Sequence, residues 1–272
     1  MITMEKNSLL VKDKNPKGQV WAEPPDEETK QCLQSLRSKL QSSLALSPKE
    51  SEWCDDACLL RYLRARNNQV DKAQELLKKT LEWRKNFGVD ELMNNVPPQV
   101  KEEGSSQKLY VGGKDKYGRP IIYMKPKYQN TKESIHQLQH LVYTLEKAIR
   151  SMQNGVEKLI LFIDFEGYSM RNTPSIKMMR ETLTVLQDYY PERLGLAICL
   201  NAPTLFYTFY KIIKPFIDKN TVQKIYFFKV SNTHKSKEWM DFAQQVFDLD
   251  ELEVDYGGRN DKEYNPEEYF GN

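Results

Sequence analysis

The sequence predicts an α/β protein in which a helical N-terminal unit precedes a mostly parallel βαβ sheet. Two observations predict this class. Residues 26–98 show the three-and-four spacing of apolar side chains that is typical of amphipathic helices. After Gly104, short apolar runs alternate with helical patterns, as in sheets whose parallel strands are joined by helical crossovers.

The N-terminal unit is predicted to contain helices over Glu27–Ala45, Asp56–Ala65, Val70–Phe87 and Val89–Asn95. Ser47-Pro48 is expected to end the first helical region, because the residue before a proline disfavours helical conformation. Gly88 is expected to close the third helix, since glycine readily adopts the left-handed conformation found after helix ends. Residues 1–25 are polar and are expected to be disordered or loosely packed.

Five strands are predicted, over Leu109–Val111, Ile121–Met124, Leu159–Ile163, Leu196–Leu200 and Ile225–Val230. The first two flank the turn-rich stretch GGKDKYGRP, which predicts a hairpin. The last three are almost continuously apolar, as expected for strands that are buried on both faces. Further helices are predicted over Lys132–Met152, Ser175–Tyr189, Pro203–Ile217 and Ser236–Phe247.

Composition excludes several classes of protein. The formal net charge of +2 provides no global field that would attract nucleic acid. The most apolar long stretch, residues 205–228, is interrupted by lysines and an aspartate, so it does not span a bilayer. The N-terminus lacks the apolar core of a secretory signal, and the four cysteines do not suggest a disulfide framework. These features predict a cytoplasmic protein.

The usual nucleotide-binding and catalytic motifs are absent. Gly112-Gly113-Lys114 lies in the predicted hairpin and not at a helix N-terminus, so it is not a phosphate-binding loop. His136 and His140 are four residues apart without further ligands nearby, and we expect two surface histidines and no metal site. Asp164 and Glu166 follow a strand, where a cap or a loop salt bridge explains them as well as catalysis does. The sequence therefore predicts no catalytic residue, no enzyme activity and no cofactor.

The predicted helix Pro203–Ile217 is the most informative stretch. Its wide apolar stripe suits an ordinary core helix, or a movable lid that faces a ligand when shut and a membrane when open. Pro215 would serve the lid as a hinge, and Tyr207 and Tyr210 are expected on the remaining surface with two lysines. Periodicity does not distinguish the two interpretations. The apolar residues of this stretch are Leu205, Phe206, Phe209, Ile212, Ile213, Phe216 and Ile217.

A series of short motifs occurs in a distinctive order along the chain. They are LRYLRAR at residues 60–66, YPERLG at 190–195, NAP at 201–203, KPFID at 214–218, TVQKI at 221–225, and Gly257-Gly258. The series resembles the CRAL-TRIO family of lipid-transfer proteins, in particular its branch of yeast-type phosphatidylinositol-transfer proteins. The resemblance covers about residues 50–258 and implies a helical unit over 26–98 and a lipid-binding domain over 99–258, which an acidic C-terminal tail over 259–272 follows. It also implies that the helix at 203–217 is an amphipathic gate over a lipid pocket floored by the sheet.

The resemblance further implies which residues bind the lipid. The headgroup-binding residues would be Arg66, Glu192, Thr221 and Lys224. Their cations can donate charge-assisted hydrogen bonds to a phosphate, and Gly257 and Gly258 would form a hinge. Members that also bind phosphatidylcholine carry a serine and a threonine where this chain has Leu159 and Leu161, so binding of that lipid is not expected. A sterol, another apolar molecule or no second ligand are the alternatives.

The implied function is exchange of a phospholipid, foremost phosphatidylinositol, between membranes, or its presentation to lipid-modifying enzymes. The alternative is a lipid-sensing regulatory adaptor that acts through protein–protein contacts. The implied partners are the lipid ligand, transiently contacted membrane surfaces and a lipid-modifying enzyme, without nucleic acid. We expect a cytoplasmic monomer.

Overall fold

The computed structural model describes residues 24–217, 219–229 and 236–271. Most of the segment 1–25 therefore lies outside the described residues, as does Val230 at the end of the last predicted strand. Also outside the description are the side chains of Met170, Leu205, Thr208, Phe209, Ile212, Ile213, Phe216, Lys219 and Asn220.

The described chain forms two compact units. The helical unit contains Ala22–Asn95 and Ser175–Arg193, and the sheet unit contains Val96–Pro174 and Leu194–Asn272. Residues 175–193 thus pack with the N-terminal helices, whereas the predicted boundaries place them in the lipid-binding domain 99–258. The predicted segments stay predictions, because compactness does not show which part of the chain binds a ligand.

The helices in chain order are α1 (Glu27–Ser43), α2 (Pro48–Trp53), α3 (Asp56–Arg64), α4 (Val70–Phe87), α5 (Val89–Asn94), α6 (Pro98–Gly104), α7 (Ser134–Arg150), α8 (Ile176–Thr184), α9 (Thr204–Ile213), α10 (Lys219–Gln223), α11 (Lys237–Val246) and α12 (Pro266–Phe270). The helices predicted from apolar spacing are confirmed, and most of them end within two residues of the predicted positions. Gly88 closes α4 with a left-handed φ of 72°, as expected.

One short helix near the start of the chain was not predicted. Ser47-Pro48 follows the end of α1, as expected, but it also begins α2. The Ser47 hydroxyl accepts a hydrogen bond from the Glu50 amide at 3.3 Å, and the Glu50 carboxylate accepts one from the Ser47 amide at 2.8 Å. This reciprocal cap favours a helix start, and Pro48 is tolerated there because an amide in the first turn has no intrahelical partner.

The core of the helical unit lies between α1, α3 and α4. Leu36, Leu63 and Leu77, one from each helix, are fully buried in it. Each of these helices carries its apolar residues on one face, so three amphipathic helices bury a common core and leave their charged faces exposed.

The sheet unit contains five strands in the order β1 (Leu109–Lys114), β2 (Pro120–Met124), β3 (Leu159–Asp164), β4 (Leu194–Leu200) and β5 (Ile225–Phe228). β1 and β2 form the predicted antiparallel hairpin, and the pairs from β2 to β5 are parallel. The predicted α/β class with a mostly parallel sheet is therefore confirmed.

One face of the sheet is covered by an aromatic layer. Phe162, in the central strand, lies with its ring 5.6 Å from Trp239 of α11 and 4.4 Å from Tyr256. Phe228 of β5 packs on the same tryptophan at 5.4 Å, and Tyr123 of β2 stacks on Tyr256 at 5.6 Å. Because side chains alternate between the faces of a strand, these residues define the α11 face.

The opposite face is covered by helices that connect the parallel strands. α7 joins β2 to β3 and packs against β1 and β2, and α9 lies between β4 and β5. Both connections step in the same direction across the sheet. Crossovers of this kind are right-handed in about 98% of cases, so we infer that α7 lies on the same face as α9.

The C-terminal residues 259–271 are acidic, but they are not a free tail. The Tyr264 hydroxyl donates to the Gly104 carbonyl at 2.7 Å, and the backbone amide of Val111 donates to the Tyr269 hydroxyl at 3.3 Å. The Phe270 ring is buried 5.1 Å from that of Tyr143 in α7. The two aromatic residues of α12 anchor the segment to the sheet unit despite its charged composition.

His140 corrects the expectation of two surface histidines. It is 0% exposed and its ring lies 5.9 Å from that of Phe270, while His136 is half-buried. Neither ring nitrogen of His140 has a hydrogen-bond partner among the described residues. Burial, reinforced by the charge of Lys108, lowers the pKa of His140 to about 3.

Replacing Phe270 with alanine should lower the free energy of unfolding by about 3 kcal/mol, because it leaves a cavity beside His140 and Tyr143. Urea unfolding measures this difference. Asp261→Ala, in the exposed part of the same segment, is the control and should change stability by less than about 0.5 kcal/mol. Equal effects of the two substitutions would show that the segment is a loose tail.

Acidification should destabilise the protein through His140. Its pKa is about 3 in the folded protein, whereas that of an unfolded histidine is about 6.5. The stability it confers is present above pH 6.5 and is lost as the pH falls below that value, at about 1.4 kcal/mol per pH unit. His140→Leu should remove about 2 kcal/mol of the decline between pH 6.5 and pH 5, and His136→Leu should not. An unchanged decline in His140→Leu would contradict the assignment.

Candidate functional site

The two faces of the sheet differ in how completely they are covered. On the α11 face, Ile160, Phe162 and Ile198 are 0% exposed. Their neighbours on the other face keep accessible surface: Leu161 and Phe227 are 8% exposed and Ile163 is only half-buried. The α9 face of the sheet is thus apolar, and the described residues leave slightly more of it accessible than of the α11 face.

Aromatic side chains of α9 cover part of this face. The Phe206 ring lies 4.5 Å from that of Phe165, and the Tyr207 and Tyr210 rings lie 5.2 and 5.3 Å from that of Phe227. The expectation that the two tyrosines lie on the outer surface is therefore wrong. At about 100° per residue, positions 206, 207 and 210 fall within one third of the helix circumference, so all three reach the sheet. Burial, with a smaller contribution from Cys199, raises the pKa of both tyrosines.

The gate prediction is only partly covered by the described residues. Phe206 lies in the cluster on Phe165 and Phe227, and Ile217 is half-buried after a short 3₁₀ turn over Lys214–Phe216 that contains the predicted hinge Pro215. The side chains of Leu205, Phe209, Ile212, Ile213 and Phe216 lie outside the described residues. The opening of α9 as a gate stays a prediction.

The sheet contributes hydrocarbon to this face. Leu159, Leu161 and Ile163 lie on the same face of β3, and the register pairs Leu161 with Ile122 on one side and Ala197 on the other. Neither leucine offers a hydrogen bond to a polar ligand. The structure also places polar atoms on this face, namely the hydroxyls of the α9 tyrosines and the buried thiol of Cys199. The sequence analysis did not predict them there.

Two of the four predicted headgroup residues lie in the helical unit. Arg66 follows α3, where its Nη1 donates to the Ala65 carbonyl at 2.9 Å and its Nη2 lies 3.9 Å from Asp188 Oδ1. Glu192 has a φ of 59°, in the left-handed region that a non-glycine residue seldom adopts. Such strain costs about 1–3 kcal/mol and is concentrated at functional sites.

The other two headgroup residues lie in the sheet unit. Thr221 belongs to α10, and Lys224 directly precedes β5. The Lys224 amide donates to the Thr221 carbonyl at 3.0 Å, and the Lys224 carbonyl accepts from the Ala197 amide at 2.9 Å. These bonds fix the backbone of Lys224 to β4 and leave both side chains half-buried. The four residues are thus divided between the units, and their action as one headgroup site stays a prediction.

The predicted hinge at Gly257 and Gly258 is tightly bound to the sheet unit. Gly257 has a φ of 88°, and a Cβ on Gly258 would lie 1.8 Å from the Leu252 carbonyl oxygen. Just before them, the Tyr256 carbonyl accepts from Trp239 Nε1 at 2.8 Å. The turn is therefore a site of close backbone approach, and hinge motion there stays a prediction.

Carboxylates near this turn act as structural anchors. Asp164 is buried, and its two oxygens accept hydrogen bonds from the Glu166 amide at 2.9 Å and the Tyr256 hydroxyl at 3.2 Å. Glu253 accepts from the buried ammonium of Lys125 at 2.9 Å and from the Tyr110 hydroxyl. Sequence reasoning missed this ion pair, because its two partners are far apart in the chain.

The described part of the chain contains neither a metal-binding cluster nor a membrane-spanning helix. Among its residues, no three histidine, cysteine or acidic side chains are placed to hold a metal ion. No helix within the described ranges is long and apolar enough to cross a bilayer.

Comparison with known proteins identifies similar sequences. The sequence model of the CRAL/TRIO domain matches residues 104–258, and that of the CRAL/TRIO N-terminal domain matches residues 32–79. The Sec14 cytosolic factor of Schizosaccharomyces pombe is 33% identical over 211 residues, which cover 71% of this chain and 72% of that protein. Phosphatidylinositol transfer protein PDR17 of Saccharomyces cerevisiae is 33% identical over 234 residues, covering 83% of this chain and 63% of that protein.

Other matches differ in length or in sequence. A CRAL-TRIO domain-containing protein of S. pombe is 37% identical over 249 residues, which are 90% of this chain but 23% of that protein. The chain thus spans less than two thirds of this relative and of PDR17. The crystal structure of Sfh5 has a TM-score of 0.65 and covers 91% of this chain and 92% of its own, at 17% identity. That likeness shows the fold alone.

Gly258→Ala should lower the free energy of unfolding by about 3 kcal/mol, because the added Cβ would overlap the Leu252 carbonyl and displace the turn. Gly155→Ala is the control: its φ is 75°, but nothing lies within 4 Å of the added carbon, so only backbone strain of about 1 kcal/mol is expected. Chemical denaturation compares the two. A Gly258 variant as stable as the Gly155 variant would mean that the turn yields easily.

Proposed function

The chain belongs to the CRAL/TRIO family, and on that premise we propose that it holds a phospholipid against the α9 face of its sheet and exchanges it between membranes. The observation that supports this most directly is the apolar α9 face of the sheet, where Leu161, Ile163 and Phe227 keep some accessible surface. An apolar face of this kind suits acyl chains.

The energetics of transfer explain why such a face is useful. Two acyl chains contain about 30 methylene groups, and each costs about 0.8 kcal/mol to expose to water. Moving the lipid unaided would therefore cost about 25 kcal/mol. A protein cavity lined by leucine, isoleucine and phenylalanine replaces the bilayer as the solvent of the chains, so that loading becomes an exchange between similar environments.

Phosphatidylinositol is the foremost candidate for the ligand. A relative named for its transfer is 33% identical to this chain. Arg66 and Lys224 would donate charge-assisted hydrogen bonds to the phosphate, while Glu192 and Thr221 would bond the ring hydroxyls. The left-handed backbone of Glu192 is consistent with a role for that residue, since backbone strain clusters at functional sites, but Gln107 has a similar φ of 64°.

The apolar side chains of β3 limit which lipid could bind besides phosphatidylinositol. Leu159 and Leu161 supply no hydroxyl for the phosphate of a choline lipid. We therefore expect phosphatidylcholine to bind poorly, and a sterol or another apolar molecule remains a candidate for a second cargo. In this proposal α9 opens at a membrane surface, where its apolar residues gain contacts that water does not offer, and the lipid is delivered there or presented to a lipid-modifying enzyme.

Lipids extracted from the protein after expression in a eukaryotic host should contain phosphatidylinositol at about one molecule per chain. Lys224→Ala should reduce this content at least about tenfold, because a phosphate would lose one charge-assisted hydrogen bond, which is worth about 1.5–3 kcal/mol. Lys229→Ala is the matched control, since Lys229 is exposed just beyond the other end of β5. Mass spectrometry of the extracts measures the phosphatidylinositol content of the unmodified protein and of both variants.

Two outcomes would contradict parts of the proposal. Retention of phosphatidylinositol by the Lys224 variant would remove that residue from the headgroup site. Absence of any phospholipid from the unmodified protein would argue against lipid carriage and favour the regulatory adaptor.

A further inference from the structure

We propose that Trp83 is a positioning residue for lipid headgroup selectivity, which it sets through a π-helical turn that leads to Glu192. The inference rests on the proposed function, in which Glu192 contacts the headgroup. All of the residues that carry it lie in the helical unit.

The π-helical turn follows α8 without a break. It spans Val185–Tyr189, and the Tyr190 amide donates to the Val185 carbonyl at 3.1 Å, five residues back. Compared with a continued α-helix, one extra residue enters the turn, so each later residue is rotated by about 100° around the axis. The direction in which the chain leaves for Glu192 therefore depends on the turn keeping this geometry.

Contacts from α4 hold the turn in this geometry. The Trp83 ring stacks on that of Tyr189 with centroids 4.2 Å apart and planes inclined by 7°, and it meets the Tyr190 ring edge-on at 6.0 Å. One helical turn earlier, the buried Thr80 hydroxyl lies 3.2 Å from the Asp188 carbonyl. One face of α4 thus contacts three consecutive residues, 188–190, at the end of the turn.

Only Pro191 separates the residues that α4 contacts, 188–190, from the predicted headgroup residue Glu192. Tyr190 and Pro191 are both buried, and Glu192 follows them directly with its left-handed φ of 59°. The Asp188 carboxylate, on the turn itself, lies 3.9 Å from Arg66 Nη2. A shift of the turn would therefore move Glu192 and the anionic neighbour of Arg66 together, although Trp83 itself is not among the predicted lipid contacts.

A role in stability alone predicts a different outcome from a positioning role. Trp83 also stacks on Phe87 within α4, at 5.0 Å, and that contact does not involve the turn. Phe87→Leu therefore removes an aromatic neighbour of Trp83 without touching residues 188–190, and it is the matched control for Trp83→Leu. Trp83→Phe keeps a ring that can stack on Tyr189 and should rescue the selectivity.

The experiment measures transfer from vesicles that contain fluorescent phosphatidylinositol or fluorescent phosphatidylglycerol, which has the same phosphodiester with glycerol in place of the inositol ring. In Trp83→Leu the preference for phosphatidylinositol should fall about tenfold, while in Trp83→Phe and Phe87→Leu it should stay within about twofold of the unmodified protein. Thermal unfolding verifies that each variant is folded at the assay temperature. If Trp83→Leu does not fold, Tyr189→Leu removes the stack from its other side and should give the same loss.

A double substitution tests whether Trp83 acts through Glu192. Once Glu192→Gln has weakened the preference, adding Trp83→Leu should reduce it by less than about twofold further. Full preference in Trp83→Leu, or fully multiplicative losses in the double variant, would overturn this inference and leave the proposed function intact. An unmodified protein that transfers neither lipid, or shows no preference between them, would overturn the proposed headgroup site and this inference with it.

Discussion

The fold depends on the aromatic layer buried on the α11 face of the sheet. Phe162 is at its centre, and Trp239, Tyr256 and Phe247 surround it with ring centroids between 4.4 and 6.1 Å away. Parallel strands must be covered on both faces. This layer leaves no accessible surface at Ile160 or Phe162, whereas Leu161, Ile163 and Phe227 on the other face keep some.

The difference between the two faces of the sheet connects the fold to the proposed function. A lipid carrier must release and take up cargo, so part of its apolar surface has to be solvated by the ligand and not by the protein. In the proposed function, the residues of the α9 face that keep some accessible surface, among them Ile163 and Phe227, would meet that condition. The Lys125–Glu253 ion pair and the hydrogen bond from Tyr256 to Asp164 do not involve the α9 face. They stabilise the turn that ends at Gly258.

Much of the fold could be predicted from the sequence, because apolar spacing reports local structure directly. The strands from β3 to β5 are apolar runs, and the sequence between β1 and β2 is rich in turn residues, so their positions followed from the pattern. The burial of His140 and the docking of the C-terminal residues could not be predicted in this way. Both depend on Phe270, which is distant in sequence and lies in an acidic stretch.

The candidate site shows the same contrast. The resemblance supplied Arg66, Glu192, Thr221 and Lys224 by position, but it could not supply the strained φ of Glu192 or the π-helical turn before it. A π-helical turn has no local pattern of its own, since it is retained by contacts such as the Trp83–Tyr189 stack. The orientation of α9 was misjudged for a related reason: tyrosine is amphipathic, and only the position of Phe227 shows which side of the helix Tyr207 and Tyr210 occupy.

The hydrogen bond between Val111 and Tyr269 has a consequence for solubility. β1 is an edge strand, and the unpaired amides of an edge can recruit a strand from another molecule. Here the Tyr269 hydroxyl occupies one such amide, and the pairing of β1 with β2 is irregular between Val111 and Lys114. Both features oppose strand addition. This border of the sheet is thereby protected against aggregation, which would benefit a carrier that exposes apolar surface on opening, as proposed above.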